Sequence, residues 1–77
     1  MLKEFLETIV KPIVDKPDEV NISEVDGDSV SIFELRVGSG DLGKVIGKQG
    51  KNAQSIRTLL SAVSAKEGKR SLLEIIE

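Results

Sequence analysis

Val45-Ile46-Gly47-Lys48-Gln49-Gly50-Lys51 runs two apolar residues into a glycine, crosses two polar residues to a second glycine, and ends on a lysine. A helical pattern free of glycine starts directly afterwards and lasts to about Ala65. Gly47 and Gly50 permit a tight turn in which backbone approaches a ligand with no Cβ in the way. Lys48 and Lys51 put positive charge at that spot, and the free N–H groups at the start of the new helix favour an anion. The stretch reads as a phosphate-gripping loop between two helical segments, and the rest of the chain as its support.

Downstream of the loop, Ala53, Ile56, Leu59, Leu60 and Val63 form an apolar stripe on a helix of about fifteen residues. Asn52, Gln54, Arg57 and Thr58 fall on its other faces. Gly68, inside the basic turn Lys66-Glu67-Gly68-Lys69-Arg70, is a helix stop, and Leu72-Leu73-Glu74-Ile75-Ile76 closes the chain as a strand.

Upstream, Gly38-Ser39-Gly40-Asp41-Leu42-Gly43 matches the dinucleotide-binding pattern G-x-G-x-x-G by the letter. That reading fails. No further strand appears until about Ser71, and the position about 20 residues on, where a ribose-binding acid belongs, is occupied by Ser61-Ala62-Val63-Ser64-Ala65. The structural reading is that Gly38 and Gly40 release the chain from a strand and Asp41 caps a one-turn helix, Leu42 to Ile46.

Before it lie two strand patterns, Val20 to Val25 and Ser29 to Val37, joined by an Asp26-Gly27-Asp28 turn. The second alternates imperfectly: Val30 and Ile32 share one parity, while Phe33, Leu35 and Val37 share the other. A bulge near Ile32 and Phe33, or burial on both faces, accounts for this equally well. The chain opens with Leu2, Phe5, Leu6, Ile9, Val10, Ile13 and Val14 at helical spacing, interrupted by Pro12, so a kink or a separate last turn is expected there. Asp15-Lys16-Pro17-Asp18 reads as a loop.

Seventy-seven residues allow one domain and one core. With no Cys and no His, disulfide scaffolds, thiolate or imidazole metal sites and Ser–His triads are excluded, and no cofactor is implied. No apolar run reaches the length of a membrane span and no signal-peptide pattern opens the chain, so no membrane insertion and a cytoplasmic location are expected. The net charge of −2 hides a division: residues 1–42 carry four basic groups against ten acids, and residues 43–77 seven against three. A basic surface therefore fits on an acidic protein.

The element order is helix, strand, strand, short helix, loop, long helix, strand. The helical crossover makes the last two strands parallel and the hairpin adds an antiparallel one. The expected fold is α+β, a three-stranded mixed sheet with helices packed on one face.

Taken together, order and loop resemble a type II KH domain over essentially the whole chain, and among these the small stand-alone KH proteins of bacteria. Lys11-Pro12, the run from Gly43 to Lys51, and Ile56-Arg57-Thr58 carry the resemblance. It implies that single-stranded RNA, or single-stranded DNA, lies across the loop, clamped at about four nucleotides. Gly47 and Gly50 would admit the sugar-phosphate backbone; Lys48 and Lys51 would supply charge, helped by Lys44 and Arg57. Gln49, the other middle residue, brings no repelling acid. Ile46, core in any reading, would contribute to the groove floor, and Lys69 and Arg70 would extend the basic track. Ala53 stands where many KH domains carry a larger aliphatic residue, which alters the groove's shape.

The chain has no Trp or Tyr, and Phe5 and Phe33 read as structural, so weak affinity with modest sequence preference is expected. The resemblance also implies work as an RNA chaperone or post-transcriptional regulator, linked to cell shape, as a homodimer or with a larger Jag-type KH protein. The competing reading is a dimerisation module whose loop is not used for RNA. An enzyme is least favoured, because the paired carboxylates Asp26 and Asp28 sit on a predicted turn with no pocket.

Overall fold

The first helix, α1, spans Leu2–Val10 and buries Leu2, Leu6 and Val10, with Phe5 and Ile9 half-buried beside them. The computed structural model describes residues 2–76. Pro12 ends the α-helical pattern: Lys11–Ile13 form a separate 3-10 turn, and Val14 leaves it in extended conformation with its side chain in the core. Ile13, carried past this turn, is exposed. A second 3-10 turn, Pro17–Glu19, leads into the sheet.

The strands are β1 (Asn21–Asp26), β2 (Val30–Arg36) and β3 (Arg70–Ile76), in sheet order β1-β2-β3. β1 and β2 are antiparallel, with Asn21 opposite Arg36 and Asp26 opposite Ser31; β2 and β3 are parallel, with Val30 beside Arg70 and Arg36 beside Ile76. The hairpin turns one residue later than the sequence suggests, over Asp28-Ser29, where the Gly27 N–H donates to the Val30 carbonyl at 2.8 Å. Both registers run without a break, so β2 has no bulge. Ser31, Phe33 and Leu35 face the helices, while Val30, Ile32 and Glu34 are half-buried on the opposite face. Phe33 and Leu35 are fully enclosed.

Between β2 and β3 come α2 (Leu42–Ile46), a 3-10 turn at Lys48–Gly50, and α3 (Lys51–Lys66). The helices lie on one face of the sheet, giving the α-β-β-α-α-β order expected. α3 buries Ala53, Ile56, Leu60 and Ser64. Leu59 departs from the predicted stripe and is exposed, lining the rim of a depression between α1 and α3 with Ile9 and Ile13.

The role predicted for Asp41 is corrected. Its carbonyl opens α2 by accepting from the N–H groups of Lys44 and Val45, but its carboxylate makes no cap hydrogen bond. It is only 1% exposed and accepts instead from the backbone N–H of Asp15 at 3.1 Å and of Lys16 at 2.9 Å. Asp41 is a staple between the start of α2 and the loop after α1.

Candidate nucleic-acid interface

The loop is built on three backbone conformations that most residues avoid. Gly47 has φ 76° and ψ 174°, a region restricted in practice to glycine, and Gly50 is left-handed at φ 75°, ψ 13°. Between them Gln49 is also left-handed, at φ 57° and ψ 27°, the only positive-φ residue other than glycine among those described. Hydrogen bonds from Gly47 N–H to the Gly43 carbonyl (2.8 Å) and from Gly50 N–H to the Gly47 carbonyl (3.1 Å) close the turn.

The two glycines are needed for different reasons. A Cβ on Gly47 would lie 2.6 Å from Asn52 Cγ and 2.9 Å from the Asn52 backbone nitrogen. A Cβ on Gly50 would meet nothing within 4 Å. Gly47 is packed against the protein, and Gly50 faces open space where a ligand backbone can come close. Asn52 is the functional residue that sequence reasoning missed. Its Nδ2 donates to the Lys44 carbonyl at 2.8 Å, so the first turn of α3 is buckled to the last turn of α2 across the loop. Its position among surface polar residues gave no sign of this.

Lys48, Gln49 and Lys51 are exposed, the first two projecting from the loop itself. Lys44 is exposed too, with its Nζ 3.6 Å from Asp15 Oδ2. Ile46 is not core. It is 36% exposed, and Val45, its enclosed neighbour, is the residue of α2 that the core takes. Ile46 and Gly50 instead open onto a groove of about 600 Å³ whose other walls are Ala53, Gln54, Arg57 and Ile75. Thr58 and Ser61 continue it along α3 toward β3. Arg57 is held in place there: its Nε and Nη2 donate to the Leu73 carbonyl on β3 at 3.3 and 3.1 Å. The groove is mixed in character, apolar at Ile46, Ala53 and Ile75 and rich in donors and acceptors along α3.

Loop and groove thus bring together Ile46, Gly47, Lys48, Gln49, Gly50, Lys51 and Arg57, with Lys44 behind them at the end of α2. Lys69 and Arg70 do not join. Lys69 Nζ donates to Asp26 Oδ1 at 2.5 Å, at the hairpin end of the sheet, and Arg70 alternates onto the face away from the helices. Asp26 also accepts from Ser31 Oγ at 2.8 Å. These two bonds hold its carboxyl below the usual carboxylate range, the lysine bond being the larger cause; the same bond raises the Lys69 ammonium above its ordinary value.

A three-stranded mixed sheet backed by helices, with a G-x-x-G turn at the α2–α3 junction and a groove running from it to an edge strand, defines a KH domain of the type II arrangement. The family model of the KhpA/KhpB KH domain matches residues 3–75, and the chain belongs to that family. It is 55% identical over 75 residues to a Clostridium acetobutylicum protein named RNA-binding protein KhpA, covering 97% of this chain and all of that one. Proteins of the same name from Chlamydia trachomatis and Aquifex aeolicus are 50% and 47% identical over 76 residues. They cover 99% of this chain and 97% and 96% of their own. No solved structure matches the chain.

Proposed function

We propose that this protein binds single-stranded RNA, with the sugar-phosphate backbone seated on Gly47-Lys48-Gln49-Gly50 and the bases in the groove between α3 and β3. The observation that carries this is the open space above Gly50, beside two lysines that no acid pairs with among the described residues. Gly50 admits the backbone, Lys48 and Lys51 neutralise phosphates, and Gln49 adds a neutral donor. Lys44 joins once phosphate displaces Asp15. Ile46, Ala53 and Ile75 offer an apolar floor to the bases, and Arg57, fixed on Leu73, presents its remaining N–H groups to their edges. Such a site works without stacking aromatics, which fits an RNA chaperone or post-transcriptional regulator of the cytoplasm with weak affinity and modest preference.

A titration with short labelled RNA at several salt concentrations tests the assignment. With three or four phosphates neutralised, log K falls against log salt with a slope near −2 to −3, at about −0.7 per contact. Lys48→Asp with Gln49→Asp abolishes binding while the circular dichroism and melting curve stay nearly unchanged, since both side chains are exposed and aspartate tolerates the left-handed region. Unfolding of that variant would instead make the loop a structural element.

Pairing with another KH chain is the second reading, and a specific surface favours it. Ile13 and Leu59 stand exposed beside Ile9 and Ile56, around a shallow depression between α1 and α3. This apolar patch suits a KH partner, a copy of this chain or a Jag-type KH protein, and the cell-shape role belongs to that complex. It lies apart from the groove, so RNA binding and pairing are compatible.

A further inference from the structure

Of the five aspartates in the chain, Asp26 alone is followed by glycine, and neither Asn21 nor Asn52 is. That dipeptide carries a chemistry of its own. With no Cβ on Gly27, its backbone nitrogen has an unhindered approach to the Asp26 carboxyl carbon. Yet both groups are already engaged. The Asp26 side chain is 56% exposed, but its Oδ1 accepts from Lys69 Nζ at 2.5 Å and from the enclosed Ser31 Oγ at 2.8 Å. The Gly27 N–H donates to the Val30 carbonyl at 2.8 Å. The electrophile and the nucleophile of an intramolecular reaction are thus each tied to another group.

We propose that Asp26-Gly27 is a latent site of aspartate isomerisation, which Lys69 and Ser31 hold closed in the folded protein. In the first step the Gly27 nitrogen forms a bond to Asp26 Cγ, and a carboxyl oxygen leaves as water with the carboxyl and amide protons. The product is a cyclic succinimide, one water lighter than the chain. Water then adds back at either carbonyl carbon. Addition at Cγ breaks the new bond and restores aspartate. Addition at the main-chain carbonyl carbon of Asp26 breaks its bond to the Gly27 nitrogen instead. That leaves an isoaspartyl linkage of unchanged mass, with one more methylene in the backbone. Only water is lost and regained, so the site needs no co-reactant.

Three features oppose the first step. Asp26 is the last residue of β1, paired with Ser31, and its Oδ1 is anchored from β2 and from the turn before β3, so Cγ is not free to swing onto the Gly27 nitrogen. That nitrogen already spends its hydrogen on Val30. The reaction also consumes the neutral carboxyl, since its oxygen must leave as water. The bonds from Lys69 and then Ser31 keep the carboxyl ionised to lower pH than usual, which makes the neutral form scarce. Glu24 on β1 and Glu67 at the end of α3 reinforce this by favouring the charged form of Lys69. Isomerisation would remove the Asp26–Ser31 rung and, with it, the tie from β1 to the start of β3. The loop and groove lie elsewhere, so the modification is read as lost stability. The proposal does not depend on the RNA reading, because its test contains no RNA.

Prolonged incubation of the full chain in mildly acid buffer, followed by peptide mapping, reads the reaction directly. Aspartyl and isoaspartyl peptides of equal mass separate by chromatography, and the succinimide is one water lighter. The folded chain isomerises at Asp26 about tenfold or more slowly than a synthetic peptide of residues 24–30, because the hairpin must open first. Lys69→Ala raises the rate about tenfold or more toward that of the peptide. It also moves upward the pH at which the rate declines, as release of the carboxylate requires. Ile56→Val, a mild core change where α3 packs on α1, controls for general loosening and stays near the wild-type rate. If the folded chain isomerises as fast as the peptide, or Lys69→Ala as slowly as wild type, the site is not held closed by these contacts. If Ile56→Val is as fast as Lys69→Ala, the fold at large protects the site and the two hydrogen bonds do not.

Discussion

Gly47, Gly50 and Asn52 divide the work of one loop. Gly47→Ala adds a methyl 2.6 Å from Asn52 and forces φ 76°, ψ 174° on an L residue, so it disrupts the buckle and lowers the melting temperature. Gly50→Ala meets no atom and costs only the left-handed conformation, about 1–2 kcal/mol. Its methyl nevertheless occupies the space assigned to the RNA backbone. The expected pattern is a folded Gly50→Ala with RNA binding lost, against a Gly47→Ala that loses both; equal melting temperatures would contradict the packing difference. Asn52→Ala removes one exposed hydrogen bond, so stability changes little while the loop loosens. RNA affinity falls about fivefold to tenfold, corresponding to roughly 1–1.4 kcal/mol, with the salt slope unchanged because no phosphate contact is removed. Glycine spacing made the loop itself legible in the sequence. Asn52 was not, since nothing local says that a polar residue on an exposed turn reaches back eight positions. Ile46 was misjudged as core for a related reason: two consecutive apolar residues in a one-turn helix point in different directions, and only packing decides that Val45 goes inward.

The elements that hold this loop were legible wherever a period or a breaker dictates them. Pro12 ends α1 because it lacks an N–H, and the parity of Phe33, Leu35 and Val37 places them on the helix side of β2. The imperfect alternation left a bulge and burial on both faces equally open; the unbroken registers decide for the second, with Val30 and Ile32 half-buried on the outer face, while Ser31 takes an inward position where Asp26 receives its hydroxyl. Asp41 shows what local rules cannot give, since the partners of its carboxylate lie 25 and 26 residues away. Asp41→Ala leaves two backbone N–H groups without an acceptor and destabilises by about 1–3 kcal/mol. Asp41→Ser, an equally good cap, does not rescue it in chemical denaturation; rescue would restore the capping role. The hairpin has its own signature. Asp26 is depressed by Lys69 and Ser31, so its contribution is present above the ordinary carboxyl value, near pH 4, and is lost as pH falls below it. Lys69 is raised, so its part is fully present below about pH 10 and lost only at higher pH. Melting temperatures of wild type and Asp26→Asn therefore differ at pH 7 and converge toward pH 3. A constant gap would mean that the carboxylate does not act through its charge.

At the scale of the whole molecule the two halves of the sequence, one acidic and one basic, are folded against each other so that some charges cancel and others do not. Lys44 and Lys69 from the basic half are each beside an aspartate of the acidic half, Asp15 and Asp26. Lys48 and Lys51 have no such neighbour among the described residues, which concentrates the usable positive potential at the loop of a chain with pI near 5.1. The salt dependence of RNA binding can read this distribution residue by residue. Lys48→Ala and Lys51→Ala should each make the slope shallower by about 0.7, the loss of one neutralised phosphate on a single strand. Lys69→Ala should leave the slope unaltered, because its ammonium is bound to Asp26 at the end of the sheet where β3 begins, whereas the groove meets β3 near Ile75. Asp15→Asn should raise affinity by releasing Lys44 toward phosphate, and more so at low salt, where the competing ion pair is least screened. If Lys69→Ala flattens the slope as much as Lys48→Ala does, the RNA follows a longer basic track that includes the hairpin end, and a site confined to the loop and its groove is excluded.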